Sequence, residues 1–296
     1  MTPNIKIGFL PREGFEHWKP EDICRELSKI GYQGVEWSRH HFKPREMSPA
    51  QLKLLSTIPN DFGMQVSEIF IALDYVVRDE TIRRDNIELT KECIAAAAEI
   101  GIHTVNVSPG PQRWVSGYVK IPEEMSEGTA WDLAFDAFDQ ILPVAESNKV
   151  YLALEGVWGM VAHDYYSSLP FFLRYNSEYL GINMDPSHGN LCRNDIPWVI
   201  KQWGSRIRHS HLKDSVGLPG HDGDSFIFPM VGEGQVDWKS FFTAMQEIGY
   251  KGFYSVEFES FFYYNKVLKG DMLAAANISW KNIQALIGGD HYDSNP

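Results

Sequence analysis

The stretch Asn183-Met184-Asp185-Pro186-Ser187-His188 reads as the end of a buried strand that carries a carboxylate, with an imidazole three residues later on the turn. Asp-Pro also opens ordinary turns, so Asp-x-x-His says little by itself. Its weight comes from three other segments that end the same way. Residues 150–155, 207–211 and 253–257 each run apolar and then place Glu155, His211 or Glu257 at the end.

Working outward, the chain alternates strand and helix throughout. Strands are expected over 5–10, 34–37, 65–71, 103–108, 150–155, 180–185, 207–213 and 252–258. Helices are expected from Lys19-Pro20-Glu21-Asp22 to Gly31, then over 49–62, 81–100, 129–147 with an interruption at Pro143, near 165–175, near 196–203, over 238–248 and over 272–287. Early acids suit the positive end of a helix dipole, and the glycines of Ile30-Gly31-Tyr32, Ile100-Gly101-Ile102 and Ile248-Gly249-Tyr250 suit helix exits. Regular alternation calls for parallel strands, and eight units call for a closed barrel. The expected architecture is α/β, a single (β/α)8 TIM barrel over 1–287 with a polar tail at 288–296.

Composition narrows the partners. Lys and Arg number 27 against 39 Asp and Glu, a net charge of −12, and no basic run occurs, which argues against nucleic acid or an anionic membrane. The first ten residues lack a basic, long-apolar leader, and no stretch is apolar enough to span a bilayer. Three scattered cysteines, Cys24, Cys93 and Cys192, make no disulfide framework and suit a reducing compartment. A cytoplasmic enzyme acting on a small molecule is expected, with a homo-oligomer left open.

Two connections exceed ordinary turns, 109–128 and 214–237. Both follow strands, so both belong to the barrel's C-terminal face, where barrel enzymes place their chemistry. The first carries Trp114 and Tyr118 and the second Phe226 and Phe228, aromatics suited to a sugar pocket or to packing on the rim.

Strand side chains alternate faces, so Tyr151, Ala153 and Glu155 point one way and Leu152 and Leu154 the other. Asn183 with Asp185, and Ser255 with Glu257, follow the same rule. His209 and His211 share the inward face, although Arg208, Ser210 and Leu212 opposite them are less apolar than the scheme asks. Two Glu, one Asp and one His converging in a barrel mouth would repel one another without a counter-charge. A divalent cation supplies it. The oxygen-rich set favours Mn²⁺, with Mg²⁺ or Co²⁺ as further choices.

The segments Leu154-Glu155, Met184-Asp185-Pro186-Ser187-His188, His211-Leu212-Lys213-Asp214, Gly232-Glu233-Gly234-x-x-Asp237-Trp238 and Val256-Glu257 together resemble the xylose-isomerase-like sugar isomerase/epimerase barrels, including the ketose 3-epimerases. The resemblance spans the second half, while the first half matches in rhythm. Carried over by position, it implies Glu155, Asp185, His211 and Glu257 as metal ligands and His188 as a substrate contact. Ketose 3-epimerases also carry an Arg six residues after the ligand His and a Glu six after the first ligand Glu. Those places hold Gly217 and Val161 here. Lys213, Trp158, Trp37 and Trp114 are the other candidates for touching substrate, and His40 and His41 have no assigned role.

The implied activity is a divalent-metal-dependent sugar isomerase or epimerase. It removes a proton next to a metal-bound carbonyl, through an enediolate, with Glu155 and Glu257 as acid and base on opposite faces. The alternative within enzymes is a lyase or dehydratase of a keto-sugar or keto-glycoside, similar to inosose dehydratase or a C-glycoside-cleaving barrel subunit. An endonuclease-IV-like repair enzyme shares the barrel, but its extra histidines are missing at Ser67-Glu68-Ile69 and Asn106-Val107-Ser108, and the acidic charge weighs against it. A non-catalytic sugar-binding barrel would not need all four acid and imidazole positions filled.

Overall fold

The computed structural model describes residues 5–112, 114–115, 118–119, 121–122, 124–218 and 226–288, leaving aside the side chains of 113–120. Eight strands form a closed barrel: β1 Lys6–Phe9, β2 Gly34–Ser38, β3 Gln65–Phe70, β4 Thr104–Val107, β5 Tyr151–Glu155, β6 Leu180–Met184, β7 Ile207–Leu212 and β8 Phe253–Val256. Each strand pairs in parallel with its sequence neighbours, and β1 closes on β8 through Lys6↔Phe253 to Phe9↔Val256. The intervening helices are α1 Pro20–Ile30, α2 Pro49–Thr57, α3 Glu80–Glu99, α4 Glu127–Asn148, α5 Tyr165–Arg174, α6 Ile196–Trp203, α7 Trp238–Glu247 and α8 Met272–Gly288.

The helices begin where their caps dictate. Ser48 and Gln51 close a capping box ahead of Pro49, and Asp195 and Asp237 accept the amides of Trp198 and Ser240. Gly31 ends α1 at φ 125°, and a Cβ there would lie 2.5 Å from the Trp280 ring, so glycine is required both for the turn and for close approach. The outward faces of the strands pack against the helices through fully buried Trp37, Phe138, Phe171 and Phe241.

Four details differ from the sequence expectations. α4 runs unbroken through Pro143, because tertiary packing of Phe138, Ile141, Leu142 and Ala145 outweighs the lost helix bond. Residues 186–191 form a short helix rather than a turn, with Asp185 as its N-cap and Pro186 at its first position. The two long loops contain small antiparallel strand pairs, Trp114–Val115 with Tyr118–Val119 and Val216–Gly217 with Phe226–Ile227. Gly288 belongs to α8, and the rest of the expected tail, 289–296, lies outside the described residues.

The irregular outer face of β7 has a physical reason. Arg208 lays its stem over Gly181, where a Cβ would meet Arg208 Cγ at 2.4 Å, and its guanidinium covers the Tyr151 ring at 4.0 Å. Ser210 donates to the Met184 carbonyl at 2.7 Å. Both polar residues are thereby accommodated beneath the helices.

The loop after β7 is tied off by Asp214, which is fully buried. Its Oδ2 accepts from the amides of Gly232 and Gly234 and from Trp238 Nε1, and its Oδ1 from the amides of Ser215 and Val236. A Cβ at Gly234 would come within 2.1 Å of that carboxylate, which explains the glycine.

Candidate metal centre and cavity

Alternation along the strands brings Glu155 to the C-terminal end of β5 and His211 near the end of β7, while Asp185 and Glu257 follow β6 and β8 by one residue. One ligand atom of each lies within 4.8 Å of the others, and all four residues are buried. Ligand atoms on opposite sides of an ion with bonds of about 2.1 Å stand about 4.2 Å apart, so the set fits a small divalent cation. Asp185 Oδ2 is buried and accepts no hydrogen bond; it faces the Lys213 ammonium at 3.0 Å, with which a bound cation would share it.

The carboxylates are individually oriented. Asn106 donates to Glu155 Oε2 at 3.0 Å, and Glu155 Oε1 lies 3.0 Å from His211 Nδ1. Asp185 Oδ1 accepts from the Ser187 amide at 2.7 Å, its N-cap bond, and Oδ2 faces Lys213 Nζ at 3.0 Å. Glu257 takes Arg12 on Oε1 at 3.0 Å and Lys213 on Oε2 at 2.6 Å, with His211 Nδ1 at 3.4 Å from the latter oxygen. Glu259 joins the same two cations, 3.1 Å from Lys213 and 3.4 Å from Arg12.

The electrostatics follow from this crowding. Burial works against the His211 imidazolium, but the charges of Glu155, Glu36 and Glu257 outweigh it and raise its pKa well above the usual range. Burial likewise opposes the Lys213 ammonium, and Asp185, Glu257 and Glu259 reverse that effect. Burial would raise the Glu257 carboxyl, whereas Lys213 and His211 hold it well below the ordinary value. His188 is driven to about 4, by burial first and by Lys213 second, and so is neutral at pH 7.

A cavity of about 520 Å³ opens above these groups. Its deep end is polar, with Glu155, His188, Lys213 and Glu257. Phe70, Val157, Met160, Phe226 and Phe228 form its walls, and Ile227, Phe261 and Phe262 its rim. Phe228 meets His188 edge-on at 5.9 Å and lies 5.0 Å from Lys213 Nζ, so the loop after β7 reaches the chemical groups directly.

Of the sequence candidates, His188 and Lys213 line the cavity. The Trp158 amide donates to His188 Nδ1 at 3.3 Å, and its ring stands behind Phe226 at 4.9 Å. Trp37 is a correction. It alternates with inward-facing Glu36, so it points outward into the core, fully buried, with its indole donating to the Leu55 carbonyl. The side chains of Trp114 and Tyr118 lie outside the described residues. His41 is a core histidine bound to the Phe15 carbonyl at 3.0 Å, and His40 is exposed. Sequence reasoning did not single out Arg12, Glu259 or Asn106, nor Glu36 and Glu68 as site neighbours. Glu259 could have been found, since it shares Glu257's face two residues on.

A closed parallel barrel with acids and an imidazole at its C-terminal mouth is the architecture of a barrel enzyme. A family model described as "Xylose isomerase-like TIM barrel" matches residues 24–278, and the chain belongs to that family. It is 24% identical over 265 residues to a probable ketose 3-epimerase of Synechocystis, covering 86% of this chain and 85% of the relative. It is also similar in fold to 3-keto-D-glucoside 4-epimerase from E. coli, with a TM-score of 0.74 at 14% identity over 96% of this chain and 99% of that one. Mannonate dehydratase from Streptococcus suis superposes with a TM-score of 0.75 at 15% identity, over 97% and 95% of the two chains.

Proposed function

We propose that this protein is a divalent-metal-dependent enzyme that isomerises or epimerises a sugar or keto-sugar derivative by moving a proton at the carbon next to its carbonyl. The observation that carries this reading is the convergence of Glu155, Asp185, His211 and Glu257 on one buried point at the base of the cavity. Three oxygens and one imidazole nitrogen suit Mn²⁺ best, then Mg²⁺ or Co²⁺. When bound, such an ion supplies Lewis acidity to a sugar oxygen.

The chain's own residues would do the rest. Glu155 and Glu257 come from strands on different sides of the barrel, so each can serve one face of a substrate held between them. One takes the proton and the other delivers one. Asn106 fixes the Glu155 carboxylate, and Arg12 and Lys213 fix that of Glu257, which keeps both aimed during the transfer. His188, neutral and buried at the cavity floor with Nε2 3.1 Å from Lys213 Nζ, would share that nitrogen with a sugar hydroxyl. Phe226 and Phe228 keep water from that end.

A specific observation favours a second reading, elimination from a keto-glycoside. The outer cavity is apolar, with Ile227, Phe261 and Phe262 partly exposed around its rim at 48%, 42% and 61%. A free sugar leaves such a surface unused, whereas a non-sugar substituent fills it. Elimination begins with the same proton removal. Turnover of a panel of free ketoses and 3-keto-glucosides in D₂O tests both readings. Epimerisation puts solvent deuterium next to the carbonyl in a product of unchanged composition, and elimination releases the substituent. Retention of every substrate hydrogen in a turned-over sugar would overturn both.

A further inference from the structure

Below the cavity floor the barrel interior holds a second layer of polar groups that the proposed chemistry does not use: Glu36, Glu68, His209 and Asn183, all buried. Glu36 is the acid of Gly31-Tyr32-Gln33-Gly34-Val35-Glu36, five residues after the helix-exit glycine Gly31. It is fully buried on β2, and its Oε1 lies 3.0 Å from His211 Nε2, across the barrel on β7. The other ring nitrogen, Nδ1, faces Glu155 Oε1 at 3.0 Å, Glu257 Oε2 at 3.4 Å and the Asn183 amide nitrogen at 3.0 Å. A neutral imidazole that offers a lone pair on Nδ1 must carry its proton on Nε2, and that proton needs an acceptor because His211 is fully buried.

We infer that Glu36 is the positioning residue for His211. By accepting the Nε2 proton it selects the ring tautomer and the ring rotation that turn Nδ1 towards Glu155, Asp185 and Glu257. The inference rests on the reading of those four residues as a metal site. It gives the buried acid of β2 a task that its place on that strand alone does not reveal. Carboxylates that orient a ligating histidine typically change metal affinity by 10–100-fold when removed.

Glu68 supplies the comparison. It is equally buried, on the neighbouring strand β3, and it makes no hydrogen bond to His211; both of its oxygens lack a hydrogen-bond partner. Its ion-pair contact is to His209 Nδ1, at 3.1 Å. If the effect of Glu36 came from buried negative charge in general, the two acids would act alike.

The test is Mn²⁺ titration of wild type, Glu36→Gln, Glu68→Gln and Asp185→Asn, each first checked for a native circular-dichroism spectrum. Glu36→Gln should weaken the ion 10–100-fold and Glu68→Gln by less than threefold. Equal weakening by both would overturn the assignment, as would a Glu36→Gln affinity equal to wild type while Asp185→Asn loses the ion. Should Asp185→Asn also bind as wild type does, the metal reading itself fails and the inference with it. If Glu36→Gln does not fold, nitrogen-15 spectra of the wild-type histidines loaded with Mg²⁺ decide instead. The expected His211 pattern is a proton on Nε2 and none on Nδ1, and a proton on Nδ1 overturns it.

Discussion

Lys213 Nζ and Glu257 Oε2 meet at 2.6 Å at the floor of the cavity, with only 3% and 4% of their side chains exposed. The same ammonium reaches Asp185 and Glu259, so one buried cation holds three carboxylates. Removing one partner of a buried ion pair costs about 3–5 kcal/mol, because the others are left unpaired. Lys213→Met should lose roughly that much stability by urea denaturation without metal, and Mn²⁺ should restore part of it by binding the folded form. An unchanged denaturation midpoint would mean that Arg12 alone balances the acids.

Asp185 contributes both an N-cap bond and an oxygen without a hydrogen-bond partner. Asp185→Asn keeps the cap acceptor and removes the charge. Elemental analysis after dialysis should find one Mn²⁺ per wild-type chain and much less in the variant. Equal metal in the two proteins would rule out the four-residue centre.

His188 stands beside that centre and above Phe228, on the short helix that Asp185 caps. His188→Ala should retain the ion while losing turnover or raising KM. Loss of the ion in this variant would place His188 among the ligands.

Acid should weaken the fold through two buried histidines. Burial lowers His209 and His188 from 6.5 to about 4. Between those values the unfolded chain binds more protons than the folded one, so stability is complete above about 6.5 and falls as pH drops towards 4. The slope is about 1.4 kcal/mol per pH unit for each group. Urea midpoints from pH 7.5 to 4.5 should show it, and His209→Asn should flatten it. A slope unchanged in that variant would assign the effect elsewhere.

Asp214 accepts five hydrogen bonds with no exposed surface. Bonds to a buried charge are worth about 1.5–3 kcal/mol each, with strong overlap. Asp214→Ala should cost on the order of 3 kcal/mol or more and lower Tm by several degrees. A Tm within a degree of wild type would show that the loop's amides find other acceptors.

Most of the barrel could be read from the chain because its signals are local. Period-two alternation ending on Glu155 or His211, and glycines ending helices, each need only a few neighbouring residues. The same alternation rule excludes Trp37 from the cavity once Glu36 is taken as inward. Asp185-Pro186 carried the marks of a helix start, a cap followed by proline, which a strand-and-turn reading passes over. What stayed hidden is pairing across the barrel. Arg12 sits in a loop with no periodicity, and nothing near Glu36 announces that His211, 175 residues later, will face it. α4 shows the converse, since packing carries a helix through Pro143 that local chemistry would break.

Asp214 also makes the loop after β7 separable. Its five bonds join the two ends of the excursion, Ser215 on one side and Gly232 to Trp238 on the other, so the ends are fixed at a neck apart from the Phe226 and Phe228 contacts. Loop-closure entropy grows slowly with length once the ends are fixed. The segment bearing Phe226 and Phe228 can therefore change between fixed ends, and its effect on the site runs through the contacts of Phe228 with His188 and Lys213. On the proposed reading, divergence of substrate choice over the same four acid and imidazole residues then needs change in one stretch of chain.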